Sequence, residues 1–172
     1  MRRFAPGAVS RSDLAQLLWA MQGISGSDTH GPVRTTPSAG RTSPLEVYVV
    51  TAEGIALYGP AEHRLQPLGD TDVRAALAEA ALDQDCVRNA PLVLAVVGVV
   101  ARTVDAYGDR AERYVTLEAG HAAQNALLQA TALGLGAVPV GSFDDDQVRH
   151  SLGLSSQATP LYLVCIGHPE PK

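Results

Sequence analysis

Residues 92–100, Leu-Val-Leu-Ala-Val-Val-Gly-Val-Val, are apolar without a break. The run is far short of the roughly 20 residues that cross a bilayer. It fits a central strand covered on both faces better than a half-exposed one, so the core of this chain must contain a sheet. The flanking patterns say what packs around it. Ser10, with Asp13 three residues on, resembles a capping box. Leu14, Leu17, Leu18 and Met21 then recur at helical spacing until Gly23 supplies a stop. Residues 111–133 are strong helix formers with Gly134 placed as a C-terminal cap, which predicts a long, largely buried helix. Residues 46–51 and 55–58 read as a hairpin across an Ala-Glu-Gly turn, residues 72–82 as a helix, residues 144–147 as the start of a short helix ended by Gly153, and residues 161–166 as a last strand. Residues 23–41, rich in Gly, Ser, Thr and Pro and without periodicity, read as a long loop of the kind that either carries function or is mobile. This order is no βαβ alternation, so α+β is expected over a doubly wound fold.

The 172 residues suit one domain spanning 1–172. A net charge of -5 gives no basic field for phosphates, which argues against nucleic acid as a partner. No membrane-length segment is present, and the Met1-Arg2-Arg3 start leads into no signal-peptide core, so a cytoplasmic protein is expected. Cys86 and Cys165, at a helix end and in a buried strand, read as packing residues.

Several chemistries find no footing. Gly134-Leu-Gly136-Ala-Val-Pro139 follows a helix and has Pro where a dinucleotide fingerprint needs its third Gly. There is no Gly-x-Ser-x-Gly elbow. His30, His63, His121, His150 and His168 lack the pairing of helical zinc sites. Asp144, Asp145 and Asp146 read as a helix cap. No metal ligands are assigned.

Three segments carry a more specific signal: Pro37-Ser-Ala-Gly-Arg-Thr-Ser-Pro44 before the strand that begins at Leu45, Leu117-Glu-Ala-Gly-His-Ala-Ala-Gln-Asn125, and Ala132-Leu-Gly-Leu-Gly-Ala-Val-Pro-Val-Gly-Ser-Phe-Asp144. In this order and spacing the chain resembles the nitroreductase family over nearly its whole length. Within that family it resembles the SagB-like dehydrogenase branch, which shares a Leu-Leu-Trp-Ala helix like residues 17–20. The resemblance implies a nitroreductase-like α+β sandwich, a mixed or antiparallel sheet packed with helices, in an intertwined homodimer. Flavin mononucleotide (FMN) would sit at the interface and NAD(P)H would be a possible electron donor.

The same resemblance implies cofactor contacts. Pro37, Ser38, Ala39, Gly40 and Arg41 form the loop that reaches the neighbouring subunit's flavin, and small residues allow its backbone a close approach. Pro139, Val140, Gly141 and Ser142 match the segment that points a backbone N–H at flavin N5, with Gly141 the expected donor. Arg2 matches the second basic position of the family's Arg-x-Ser-x-(Arg/Lys)-x-Phe phosphate clamp, with Arg3 beside it. The first Arg and the Ser are missing, so the chain is either a shortened member or starts upstream of Met1. Lys172 is the C-terminal candidate for the same phosphate, and Gln84 sits near a polar position that contacts the isoalloxazine ring. No catalytic triad is needed, because the hydride chemistry belongs to the cofactor. The Lys-Tyr pair of azoline-oxidising members is reduced to Tyr107, otherwise a packing residue. Gln124 and Asn125 are expected to be buried hydrogen-bonding residues at the subunit interface.

The function implied is hydride transfer through flavin N5 between a reductant and a small organic acceptor, or dehydrogenation of an organic substrate by the same residues. Two alternatives stay open: a non-catalytic flavin-binding or partner-binding subunit with a degenerate cofactor site, and a structural dimer without cofactor.

Overall fold

The computed structural model describes residues 2–29 and 31–170. In chain order the elements are α1 (Arg11–Gln22), β1 (Ile24–Asp28), β2 (Gly31–Arg34), a 3-10 turn (Ala39–Arg41), β3 (Leu45–Thr51), β4 (Gly54–Gly59), β5 (Arg64–Gly69), α2 (Arg74–Ala80) and α3 (Asp85–Arg88). They continue with β6 (Leu92–Gly98), α4 (Ala101–Tyr107), a 3-10 turn (Gly108–Arg110), α5 (Ala111–Ala132), β7 (Gly136–Val140), α6 (Asp145–Leu152) and β8 (Thr159–Gly167).

Six strands form one sheet in the order β5-β4-β3-β6-β8-β7, and every neighbouring pair is antiparallel. β6 lies inside it between β3 and β8, with all seven side chains buried, as the unbroken apolar run requires. Helices α1 and α5 cover one face, over Val47, Val49, Leu94, Val96 and Val164. Helices α2, α3 and α6 cover the other, over Val93, Ala95, Val97, Leu163 and Cys165. Each fully buried Leu, Val or Ile here contributes about 1.5–3 kcal/mol of burial. The α+β expectation therefore holds, with an entirely antiparallel sheet.

Local chemistry explains the helix ends. Ser10 Oγ accepts from Asp13 N at 3.1 Å, and Asp144 Oδ1 accepts from Gln147 N at 2.9 Å. Gly153 closes α6 in the left-handed region. Helix α5 buries a stripe of small residues, Ala119, Ala122, Ala123, Ala126 and Ala130, which lets it lie close to the sheet. The expectation of a largely buried helix is corrected, because Leu117 and Leu128 on the same helix are 53% and 61% exposed.

Four departures from the sequence reading share a cause. The expected loop at 23–41 contains the antiparallel hairpin β1–β2; β1 is mostly exposed Gly, Ser and Asp and β2 is Gly-Pro-Val-Arg, so neither carries a hydrophobic period. β5 joins the expected 46–58 hairpin as an edge strand exposed at every position. To β7 the sequence reading assigns no element. It is the opposite edge strand, where Pro139 lacks an N–H without breaking an interior ladder. Short α4 occupies residues to which the sequence reading assigns no element.

Candidate functional site

Among the described residues, five that are not glycine hold positive φ: Arg41 (57°), Ser43 (46°), His63 (48°), Leu82 (59°) and Asp83 (56°). Each such residue costs on the order of 1–3 kcal/mol and persists only where its surroundings enforce it. Four of the five fall in two segments, 37–43 and 80–84, and both segments contain residues predicted for a cofactor.

The first segment is tied down by side chains on three elements. Arg41 forms a bidentate ion pair with Asp28 of β1. Thr42 Oγ1 lies 2.9 Å from Thr103 Oγ1 on α4, and Ser38 Oγ accepts from Ser43 N at 2.9 Å. The Ser38 hydroxyl also acts on the carboxyl of Glu118 on α5, favouring its ionised form. Glu118 is 3% exposed, and its Oε1 has no hydrogen-bond partner among the described residues. Burial pushes its pKa up to about 7, against the pull of Ser38 and of the Arg34 charge. Gly40 adopts φ +55°, and a Cβ there would stand 3.0 Å from Tyr107 Oη. Tyr107 in turn packs edge-on against Tyr114, with centroids 4.9 Å apart. Pro37, Gly40 and Arg41 are exposed while Ser38 and Ala39 are half-buried, so the backbone of this segment faces outward.

The second cluster lies at the α2–α3 corner on the opposite face of the sheet. Arg2 Nη1 donates to Gln84 Oε1 at 2.8 Å, and Gln84 Nε2 donates to Ala81 O at 2.9 Å and to Ser142 O at 3.3 Å. Three predicted cofactor residues are thus joined by hydrogen bonds. Gln84 sits in extended conformation just before α3. Gly141, exposed beyond the end of β7, has room for a Cβ no nearer than 3.4 Å to Tyr162 Cε1. Pro139 is exposed, whereas Val140 points into the core and offers only its backbone. Cys86 and Cys165 are buried as expected, but Cys86 is more than packing. Its Sγ lies 3.9 Å from Arg2 Nη1, and contact with Cys165 together with the Arg2 charge lowers its pKa to about 6, while Cys165 is pushed up.

The remaining predictions scatter. Arg3 turns to Glu170, 3.2 Å away, instead of joining Arg2. Lys172 and His30 lie outside the described residues. Asn125 donates within its own chain to Ala20 O (3.0 Å) and Thr36 Oγ1 (3.1 Å), and Gln124 is exposed instead of buried. Glu118, Thr103 and Asp28 were not singled out from sequence. For Glu118 a signal existed: a lone carboxylate on the alanine-rich stripe of α5.

No hydrogen bond, ion pair or ring contact among the described residues joins the two clusters. A cavity of about 710 Å³ lies elsewhere, between α1 and strands β3 to β5. Leu14, Leu18, Val49, Ile55 and Leu65 line it together with Tyr58, whose hydroxyl lies 2.8 Å from His63 Nδ1. It contains no predicted cofactor residue. A groove of about 410 Å³ between α1 and α5 is bordered by Trp19 and Leu128, next to the exposed face of α5. No helix is long and apolar enough to cross a membrane among the described residues.

Comparison with known proteins gives this geometry its context. The profile of the Nitroreductase family matches residues 1–168. A protein named as a nitroreductase in Methanocaldococcus jannaschii is 39% identical over 173 residues, covering 97% of this chain and 85% of its own length. The crystal structure of a protein described as a nitroreductase from Ralstonia eutropha superposes with a TM-score of 0.86 at 27% identity, covering 100% of this chain and 79% of that one. The NADPH:FMN oxidoreductase of Vibrio harveyi, solved with NAD+, shares the fold with a TM-score of 0.73 at 21% identity, covering 99% of this chain and 65% of that one.

Proposed function

This chain belongs to the nitroreductase family, and from that premise we propose that it is an FMN-dependent oxidoreductase acting as a homodimer, its residues 1–172 forming one flavin-binding domain. The observation that carries the reading is the division of the predicted cofactor residues into two strained clusters on opposite faces of one sheet. Such half-sites make one site when the outward-facing 37–41 segment of one subunit meets the Arg2–Gln84–Ser142 cluster of another. The exposed Leu117, Leu128 and Trp19 on α5 and α1 supply an apolar surface for that pairing.

The residues present fit a flavin. Gly40, in a conformation that disfavours any side chain, and Gly141, with no side chain at all, both leave backbone open to a flat ring. Arg2 would hold the phosphate end by a charge-assisted contact. Ser38, Ala39 and Gly40 would line the ring, and the Gly141 N–H would face N5. Bound FMN supplies hydride transfer at N5, with NAD(P)H as donor and a small organic molecule as acceptor, or with an organic substrate as the hydride source. The chain's own work is to bind, orient and exclude water. We place the chain in the SagB-like branch on its Leu-Leu-Trp-Ala helix and its Pro-Ser-Ala-Gly loop. The missing lysine before Tyr107 argues against azoline oxidation.

A second reading, a flavin-binding subunit without turnover, draws on a specific feature. Arg3 and Arg41 are engaged by Glu170 and Asp28, which leaves Arg2 as the main cation for the phosphate. The visible spectrum of the purified protein, with the chromophore released and identified after denaturation and FMN added back to apoprotein, tests both. A yellow dimer that releases FMN and oxidises NAD(P)H against a quinone or nitroaromatic supports the enzyme. Stoichiometric FMN with no turnover across donors and acceptors supports the second reading. A protein that stays colourless after reconstitution refutes both.

A further inference from the structure

The Gln84 side chain has two N–H donors and one carbonyl oxygen. Both donors are used inside the chain, on Ala81 O and Ser142 O, and the oxygen accepts from Arg2. Both Gln84 donors therefore act within the chain, and only a lone pair of Oε1 is left for a ring edge. What it grips is informative. Beyond Val140 the chain has left the β7–β8 ladder. The 141–144 turn is then anchored to the α2–α3 corner by two bonds, Asp144 N to Ala80 O at 2.9 Å and Gln84 Nε2 to Ser142 O at 3.3 Å. The corner itself is bent at two consecutive left-handed residues, Leu82 and Asp83, and Leu82 is 73% exposed, so no burial of its side chain explains the bend. The bend delivers Gln84 between Arg2 and Ser142.

We propose that Gln84 is a positioning residue that couples Arg2, at the phosphate end of the site, to the turn carrying Gly141 at the ring end. The proposal rests on the flavin reading above. In it, phosphate held by Arg2 also sets the orientation of the 141–142 backbone, and loosening either end misplaces the other.

Titrations of FMN and of riboflavin, which lacks the phosphate, by flavin fluorescence test this on the wild-type protein and on R2M, Q84M, Q84E and R2M/Q84M. The visible spectrum of the bound flavin is recorded in parallel. R2M and Q84M should each weaken FMN about tenfold and riboflavin by less, and both should shift the spectrum of either bound flavin, because each breaks the same link. The double variant should lose no more than about threefold beyond the worse single one, because the two residues act through one link. Q84E keeps an acceptor for Arg2 but sets carboxylate oxygens against the Ala81 and Ser142 carbonyls. It should retain the preference for FMN over riboflavin yet show the shifted spectrum, and being nearly isosteric it covers the case in which Q84M folds poorly. Losses that multiply in the double variant, or a Q84M that weakens both flavins equally with an unmoved spectrum, overturn the coupling alone. Wild-type protein that takes up neither flavin overturns the cofactor reading and the coupling with it.

Discussion

Replacing Glu118 with Gln should remove a pH dependence from the stability of this protein. Burial raises the Glu118 pKa from 4.5 to about 7, and Ser38 and Arg34 only partly oppose the shift. The sign follows from linkage. In the unfolded chain the carboxyl ionises near 4.5, whereas in the folded chain it keeps its proton up to about 7. Folding is therefore unaffected by this group below 4.5, is weakened progressively as pH rises from 4.5 to 7, and loses nothing further above 7. At about 1.4 kcal/mol per unit, the full loss is about 3 kcal/mol, most of it between pH 5 and 8. Gln does not titrate, so the stability gap between E118Q and wild type should grow by roughly 2–3 kcal/mol from pH 5 to pH 8. For a chain of this length that is a relative Tm change of roughly 5–10 °C. Using the growth of the gap cancels any fixed cost of burying an amide nitrogen where Oε1 now lacks a partner. Denaturant unfolding of the two apoproteins at four pH values gives the answer. Parallel pH profiles would refute the claim that Glu118 is buried as an acid whose neutral form the fold prefers.

Three further outcomes follow from local geometry. A Cβ on Gly98 would lie 2.7 Å from Val115 Cγ1 and 2.9 Å from Leu161 Cδ1, so G98A should cost about 1–3 kcal/mol in denaturant unfolding; an unchanged midpoint would mean that α5 does not press on β6. Asp144 caps α6 through Gln147 N, and D144A should lose about 1 kcal/mol by the same measurement. G141V should keep its apoprotein Tm within a few degrees, because the nearest atom to the new Cβ is a tyrosine ring carbon at 3.4 Å. It should nonetheless take up FMN much less well, as a flavin titration would show; undiminished uptake would remove Gly141 from the ring end of the site.

The parts of the fold visible in the sequence are those that hydrophobic pattern dictates. The unbroken run at 92–100, the helical spacing of Leu14, Leu17, Leu18 and Met21, and the Ser10 and Asp144 caps each correspond to an observed element. Elements without such a pattern were not legible. β5 has no buried residue, β1 is largely Gly and Ser, and β7 looks like the tail of a helix cap until its ladder with β8 is seen. The site divides in the same way. The Pro37 to Arg41 and Pro139 to Ser142 segments were found as motifs, because small residues and a Pro leave a signature. Their fasteners, Glu118, Thr103 and Asp28, are ordinary residues whose role depends on what folding brings beside them.

That division has a physical reason. Arg41, Ser43 and Leu82 hold backbone conformations that no local preference of theirs favours, so each needs compensation from elsewhere in the chain. The compensation is mostly polar and long-range: Asp28 for Arg41 and Thr103 for Thr42 on one side, and Arg2 and Ser142 through Gln84 on the other. Hydrophobic burial sets where the sheet and helices lie, but it is non-directional and cannot hold a peptide plane at a given angle. Hydrogen bonds can, and in this chain they fasten both the 37–43 segment and the α2–α3 corner. A sequence shows the first kind of constraint as a period and the second only as scattered polar residues, so the frame could be read before the structure and the fastening of the site could not.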